Sequence, residues 1–238
     1  MRLIIVRHGD PDYVKDSLTE KGWREAELLS DRLTKLDVTA FYCSPLGRAK
    51  DTASFTLKKM NRQAEELDWL HEFRGKIRKG LKICGCWDRL PTEWVNNRDF
   101  YDSEKWYKTK LMRSYNVHKE YKKVCAGIDE LLAKHGYEHT GGYYRVTNSN
   151  HDTVVLFCHF GVECVILSHI FSCSPMVLWH NFVALPTSVT TLITEEREEG
   201  IAVFRCQQFG DISHLYAGGE EPAFAARFCE CYADEERH

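Results

Sequence analysis

The apolar positions of the chain change period along its length. Residues 2–7 (Arg2-Leu3-Ile4-Ile5-Val6-Arg7) and 153–158 (Thr153-Val154-Val155-Leu156-Phe157-Cys158) hold continuous apolar runs rich in β-branched residues. Such runs predict strands covered on both faces, as in a parallel sheet. Elsewhere the period is helical. Trp23, Ala26, Leu29 and Leu33 recur at spacings of three and four, and Thr19 is placed to cap them. Ser44-Pro45 predicts a second helix with proline at its first position, carrying Ala49, Ala53 and Leu57. Short strands are expected over residues 38–43 and near 66–67. Helices are expected over 116–135 and from His159 through 170. A late hairpin should pair residues 187–194 with 201–206 around Glu198-Glu199-Gly200. This alternation predicts an α/β fold, a three-layer αβα sandwich with a mostly parallel central sheet.

Residues 74 to about 115 break the rhythm. Lys76, Arg78, Lys79 and Lys82 come first, then Trp87, Trp94, Phe100, Tyr101, Trp106 and Tyr107. The pattern predicts a cap inserted at about residues 74–150 into a single domain spanning 1–238. The aromatics read as cap packing. The basic residues read as a solvated face or, more sharply, as a contact for a second anionic group on a substrate.

Composition narrows the classes. Of 238 residues, 43% are hydrophobic and 28% charged, a balance that excludes general disorder. A net charge of −3 gives no reason to expect a nucleic acid as partner. The N-terminal apolar run is too short for an export signal, and no later run is long enough for a membrane span. The expected location is therefore the cytoplasm, where the ten cysteines read as reduced thiols. Cys84-Gly85-Cys86 with Cys229-Glu230-Cys231 is an alternative zinc set, but its one-residue spacing is tighter than structural zinc prefers.

Both buried runs end in histidine, His8 and His159. Ligands of open α/β sheets bind beyond the carboxyl ends of the strands, so both side chains are expected in one crevice. Arg7 precedes His8, Gly9 allows close backbone approach, and Arg48 lies just inside the helix after Ser44-Pro45. Two imidazoles and two guanidinium forks suit a phosphoryl group: the forks match its oxygens and a neutral imidazole is a nucleophile. The arginines should keep His8 deprotonated, and a leaving alkoxide calls for a carboxylic acid nearby.

Arg7-His8-Gly9 after an N-terminal strand resembles the signature of the histidine phosphatase superfamily, the phosphoglycerate mutase-like branch. Further segments resemble it in order: Leu18-Thr19-Glu20-Lys21-Gly22, Ser44-Pro45-Leu46-Gly47-Arg48-Ala49-Lys50-Asp51-Thr52-Ala53, Leu70-His71-Glu72-Phe73-Arg74-Gly75 and the strand ending at His159. Phe209-Gly210-Asp211-Ile212-Ser213-His214-Leu215 resembles the closing segment. The resemblance implies a phosphoric monoester hydrolase acting on a small phosphorylated substrate without metal or cofactor. It implies His8 as the nucleophile that becomes phosphohistidine. Arg7, Arg48 and His159 would hold the phosphoryl oxygens together with His8, and Glu72 would protonate the leaving group. Glu65, Glu66 and Glu163 are alternatives to Glu72. His71, His169, His180 and His214 read as structural.

Three departures bear on activity. Pro11 and Val14 stand where the family's mutases carry Ser and Asn, Arg113 stands alone where they carry paired arginines, and Phe160 separates His159 from Gly161. The first two favour hydrolysis over mutase-type phosphoryl transfer. A non-catalytic module binding a phosphate ligand is the third reading.

Overall fold

The computed structural model describes residues 1–225 and 230–232. The strands are β1 (Arg2–Arg7), β2 (Pro11–Asp12), β3 (Ser17–Leu18), β4 (Ala40–Cys43), β5 (Glu65–Glu66), β6 (Lys76–Lys79), β7 (Lys82–Gly85), β8 (Tyr137–His139), β9 (Tyr144–Val146), β10 (Thr153–Cys158), β11 (Val189–Glu198) and β12 (Ile201–Asp211). The helices are α1 (Glu20–Leu33), α2 (Gly47–Met60), α3 (Pro91–Trp94), α4 (Val117–Lys134), α5 (Phe160–Ile170), α6 (Pro175–Asn181) and α7 (Ser213–Ala217).

Eight strands form the main sheet in the order β5-β4-β10-β1-β11-β12-β9-β8. The β5-β4-β10-β1 half is parallel and the β1-β11-β12-β9-β8 half antiparallel. The continuous apolar runs are the two central parallel strands. In β1, Leu3 and Ile5 face the larger core, while Ile4 and Val6 face the smaller one beneath α1 and α2. Both faces are thus covered, which is why no polar alternation survives in the run. Leu29 and Leu33 of α1 meet Ala49 and Ala53 of α2 over the smaller core, each buried leucine stabilising by about 1.5–3 kcal/mol. Thr19 caps α1 as expected, its hydroxyl accepting from Gly22 N at 3.0 Å.

The register of the parallel half positions the site. Arg7 lies opposite Cys158, and Phe157 opposite Cys43, so β1, β10 and β4 end at one level. Each next residue continues the ladder: His8 N donates to Cys158 O at 3.0 Å and Ser44 N to Phe157 O at 2.9 Å. His8, Ser44 and His159 consequently emerge side by side at one edge.

Within residues 74–150, β6 and β7 form a separate hairpin, and α3 with short 3-10 turns carries Trp94, Phe100, Tyr101, Trp106 and Tyr107. Trp94, Phe100, Trp106 and Tyr107 are buried there, and Trp106 meets Tyr107, Tyr121 and Trp179 edge-on. The later part joins the main layers: α4 packs on α5, and β9 and β8 extend the sheet.

Two boundaries differ from expectation. Helix α2 begins at Gly47, so Pro45 lies before the helix rather than at its first position. Ser44 Oγ accepts from Leu46 N at 3.3 Å, closing a turn that delays the helix. The late hairpin is longer than its apolar core, because β11 and β12 run on into exposed polar residues. The cysteines of the described residues are free thiols, and Cys229, one member of the alternative zinc set, lies outside them. No helix of the described residues is long and apolar enough to cross a membrane.

Candidate active site

The two strand-end histidines meet. Their ring centroids are 5.0 Å apart and both side chains are buried. His8 Nδ1 lies 2.7 Å from Gly9 O. A carbonyl can only accept, so Nδ1 carries the proton and Nε2 keeps its lone pair. Burial, then the Arg7 charge, holds the His8 pKa well below the ordinary imidazole value; Arg48 adds to this and the Gly9 bond opposes it. His159 is likewise held neutral by burial, by His8 and by both arginines. Its Nε2 lies 2.7 Å from Ser44 Oγ. Because that hydroxyl oxygen already accepts from Leu46 N, its proton points to Nε2, leaving Nδ1–H as the free donor of His159.

The arginines are anchored at one edge and open at another. Arg7 Nη1 donates to Ala184 O at 2.5 Å and Ala225 O at 3.1 Å. Arg48 Nη1 donates to Asp16 Oδ1 at 2.6 Å, and its guanidinium lies 5.5 Å from the centroid of the Tyr13 ring. Among the described residues, Arg7 Nε, Arg48 Nε and His159 Nδ1 are buried with no hydrogen-bond partner in the protein. Buried donors of this kind are rare without a ligand or ordered water to receive them, and a multi-oxygen anion can accept from all three.

Asp16, Ser44 and Thr52 are positioning residues that sequence reasoning did not identify. Asp16 adopts a left-handed backbone (φ 50°), and its Oδ2 accepts from Gly47 N at 2.7 Å, so one carboxylate caps α2 and fixes Arg48. A Cβ on Gly47 would meet Asp16 O at 2.1 Å, so only glycine admits this approach. Thr52 Oγ1 accepts from Gly9 N at 2.9 Å and donates to Arg48 O at 2.7 Å, tying the turn after His8 to α2. No pattern in the sequence marks Asp16, which lies between β2 and β3.

The four glutamates separate by position. Glu65 and Glu66 lie exposed on the edge strand β5, paired with Lys134 and Lys50. Glu72 and Glu163 both lie by the arginines. Glu72 Oε1 accepts from Phe73 N at 2.7 Å and from Val162 N, in the first turn of α5, at 3.2 Å. Burial raises its pKa, opposed by the N–H groups of Phe73 and Gly161 and by Arg7 and Arg48. Glu163 Oε1 accepts from Thr190 Oγ1 at 2.6 Å, and burial pushes its pKa up to about 7. A Cβ on Gly161 would come 2.5 Å from Glu72 Oε1, so a larger residue there would displace the Glu72 carboxylate. Trp179 Nε1 donates to Gly161 O at 3.0 Å and holds that turn, while His71 Nδ1 donates to Glu72 O at 2.8 Å.

His214 supports the floor. Its Nε2 lies 3.2 Å from Thr187 Oγ1, and Thr187 N donates to His8 O at 3.2 Å. Thr187 is itself held at φ 56°, a strained value for a β-branched residue. Burial lowers the His214 pKa from 6.5 to about 4. The unfolded chain therefore takes up a proton between those values while the folded one resists it, so stability falls as pH drops from 6.5 toward 4. The His214 share is about 3 kcal/mol. Urea unfolding at neutral and mildly acid pH checks this: His214→Asn should remove that much of the acid loss, with His8 and His159 supplying the remainder.

Comparison with known proteins bears on the fold and the family. A probable phosphatase of Schizosaccharomyces pombe is 23% identical over 231 residues, covering 90% of this chain and 95% of that protein. A 2,3-bisphosphoglycerate-dependent phosphoglycerate mutase of Thermoplasma acidophilum is 39% identical over 69 residues, covering 25% of this chain and 34% of that one. Among solved structures, a mycobacterial glucosyl-3-phosphoglycerate phosphatase with inorganic phosphate superposes with TM-score 0.61 at 19% identity, over 90% of this chain and 98% of that one. Phosphoserine phosphatase of Entamoeba histolytica with 3-phosphoglyceric acid superposes with TM-score 0.60 at 18% identity, over the same shares. These likenesses establish the fold. The sequence profile of the histidine phosphatase superfamily (branch 1) matches residues 3–207, and on that match the chain belongs to this superfamily.

Proposed function

We propose that the protein is a metal-independent phosphatase that hydrolyses a small phosphomonoester through a phosphohistidine on His8. The observation that carries this reading is the meeting of two neutral imidazoles, 5.0 Å apart, beside two buried arginines. The phosphoryl oxygens accept from Arg7, Arg48 and His159 Nδ1–H. His8 Nε2 attacks phosphorus in line as the ester P–O bond breaks, and Glu72 gives its proton to the leaving oxygen. Water then attacks the phosphohistidine while the Glu72 carboxylate takes its proton. The P–N bond breaks, phosphate leaves, and His8 returns neutral with Glu72 protonated.

Glu72 is preferred to Glu163 because its carboxylate lies at the first turn of α5, directly after His159, whereas Glu163 engages Thr190 of β11. The segment beginning at residue 74 serves as the cap. Of the four basic residues over 76–82, Lys79 is paired with Glu93, which leaves the exposed Lys76, Arg78 and Lys82 for a second anionic group. The Entamoeba phosphoserine phosphatase holds 3-phosphoglyceric acid and the mycobacterial enzyme is a glucosyl-3-phosphoglycerate phosphatase, and the substrate proposed here is a phosphorylated metabolite of that kind. The compartment proposed is the cytoplasm.

Mutase-type transfer is the second reading, favoured by the short match to the Thermoplasma mutase. Pro11 and the almost fully exposed Val14 replace the polar side chains that would serve it. A panel of phosphorylated metabolites assayed for released phosphate decides. Hydrolysis predicts phosphate release that EDTA leaves unchanged and vanadate inhibits. Isomerisation of phosphoglycerate without release, dependent on a bisphosphate primer, would replace this reading by the mutase; no turnover of any ester would leave a binding module.

Ser44 acts through His159 and does not touch substrate. Ser44→Ala should lower kcat by about 10- to 100-fold, the scale of leaving one buried polar group, His159 Nε2, without its partner. Vanadate inhibition should weaken in parallel, because the same Nδ1–H serves both anions. A drop in melting temperature with kcat and vanadate affinity unchanged would show a purely structural role.

A further inference from the structure

Far from the strand ends, a second group of side chains converges. Asp129 in the penultimate turn of α4, His139 at the end of β8 and His169 in the last turn of α5 each offer one donor atom, all lying within 4.8 Å of one another. His169 Nε2 is 2.8 Å and His139 Nδ1 3.6 Å from the same oxygen, Asp129 Oδ1. The two imidazole centroids are 4.5 Å apart. His169 lies ten residues beyond His159 on α5, about 15 Å along the helix axis, so this cluster is separate from the phosphoryl site.

We propose that Asp129, His139 and His169 bind one divalent transition-metal ion of the zinc class, which clips β8 to the α4–α5 layer. Zinc takes imidazole nitrogen and carboxylate oxygen at about 2.0–2.1 Å, which places tetrahedral ligands about 3.3 Å apart. The contacts at 2.8 and 3.6 Å bracket that separation. Two nitrogens and one oxygen select zinc, cobalt or nickel over calcium and magnesium, which prefer all-oxygen shells. All three side chains are half-buried, which leaves a route for the ion and a fourth position for water.

A second observation points to the same place. The Tyr144 ring lies 5.1 Å from that of His139, and its hydroxyl is buried with no hydrogen-bond partner among the described residues. Only 2% of Tyr144 is exposed, and the hydroxyl lies close enough to Asp129 to feel its charge. A polar atom stranded near His139 and Asp129 gains a partner from a metal-bound water or from a reoriented carboxylate. An ordinary ion pair would need only Asp129 and His169; it gives no reason for His139 to aim at the same oxygen.

The test uses the full chain stripped with a chelator and titrated with zinc against a chromophoric competitor, beside Asp129→Asn and His139→Ala. The phosphoryl-site histidines and the thiols are common to all three proteins, so their contribution cancels. Wild type should bind one equivalent more than either variant. Its melting temperature should rise by about 5–10 °C with zinc at 100 times the dissociation constant, a rise absent from both variants. Cobalt should give the visible spectrum of a low-symmetry tetrahedral site in wild type alone. If Asp129→Asn loses its fold along with its ion pair, His139→Ala, which gives up only the longer contact, carries the comparison. Equal stoichiometry and equal thermal response in wild type and variants, or no micromolar binding by wild type, would overturn the proposal and leave a hydrogen-bonded ion pair.

Discussion

Replacing His8 with alanine is expected to lower kcat/KM toward phosphomonoesters by about 10⁴-fold or more, the largest effect of any single substitution in this protein. The neutral ring has one free lone pair, on Nε2, because Nδ1–H is committed to Gly9 O. No neighbour can replace it: on the reading above, His159 presents Nδ1–H outward and the arginines are cationic. The anion-binding groups survive the change, so vanadate and phosphate should still bind while turnover stops. Initial-rate assays with p-nitrophenyl phosphate, together with vanadate protection of the melting temperature, check both halves. Residual activity above about a tenth of wild type would remove His8 from the nucleophile role.

Glu72→Gln should cost about 10²- to 10⁴-fold with alkyl phosphates and far less with p-nitrophenyl phosphate, whose phenolate leaves without a proton. The amide oxygen of Gln can still accept from Phe73 N and Val162 N, so the loss reports proton transfer rather than a collapsed loop. Glu163→Gln is expected to change either substrate by less than about tenfold. The raised pKa of about 7 would by itself suit Glu163 to proton transfer, but its bond to Thr190 directs one oxygen toward β11. Position therefore outweighs acidity in choosing between the two. The ratio of rates on the two substrate classes, measured for both variants, checks the assignment; a large leaving-group dependence in Glu163→Gln instead would exchange the roles.

The parallel half of the fold was legible because β1 and β10 are buried on both faces, which erases polar alternation and leaves unmistakable apolar runs. Their common endpoint in histidine carried the site with it, since parallel register aligns strand ends without any information from the loops. The partners of the arginines were not legible. Asp16 works from a left-handed turn, and no periodicity marks such a residue. Ser44 was read as the start of a helix, but its hydroxyl serves a turn and His159. The polar ends of β11 and β12 escaped because exposed hairpin strands carry no apolar signal. Between residues 74 and 115, aromatics packed on 3-10 turns follow neither a helical nor a strand period, so only the presence of a compact segment could be inferred. His169 reads as structural and His139 carries no signal for a similar reason: Asp129 reaches both only through the packing of three separate elements.

The most direct test of the account is to trap the covalent intermediate. Enzyme mixed with radiolabelled substrate and quenched rapidly in alkali should carry acid-labile, base-stable label on the peptide holding His8, and none in His8→Ala. Label on His159, on a carboxylate or nowhere on the chain during active turnover would contradict attack by the imidazole at the end of β1.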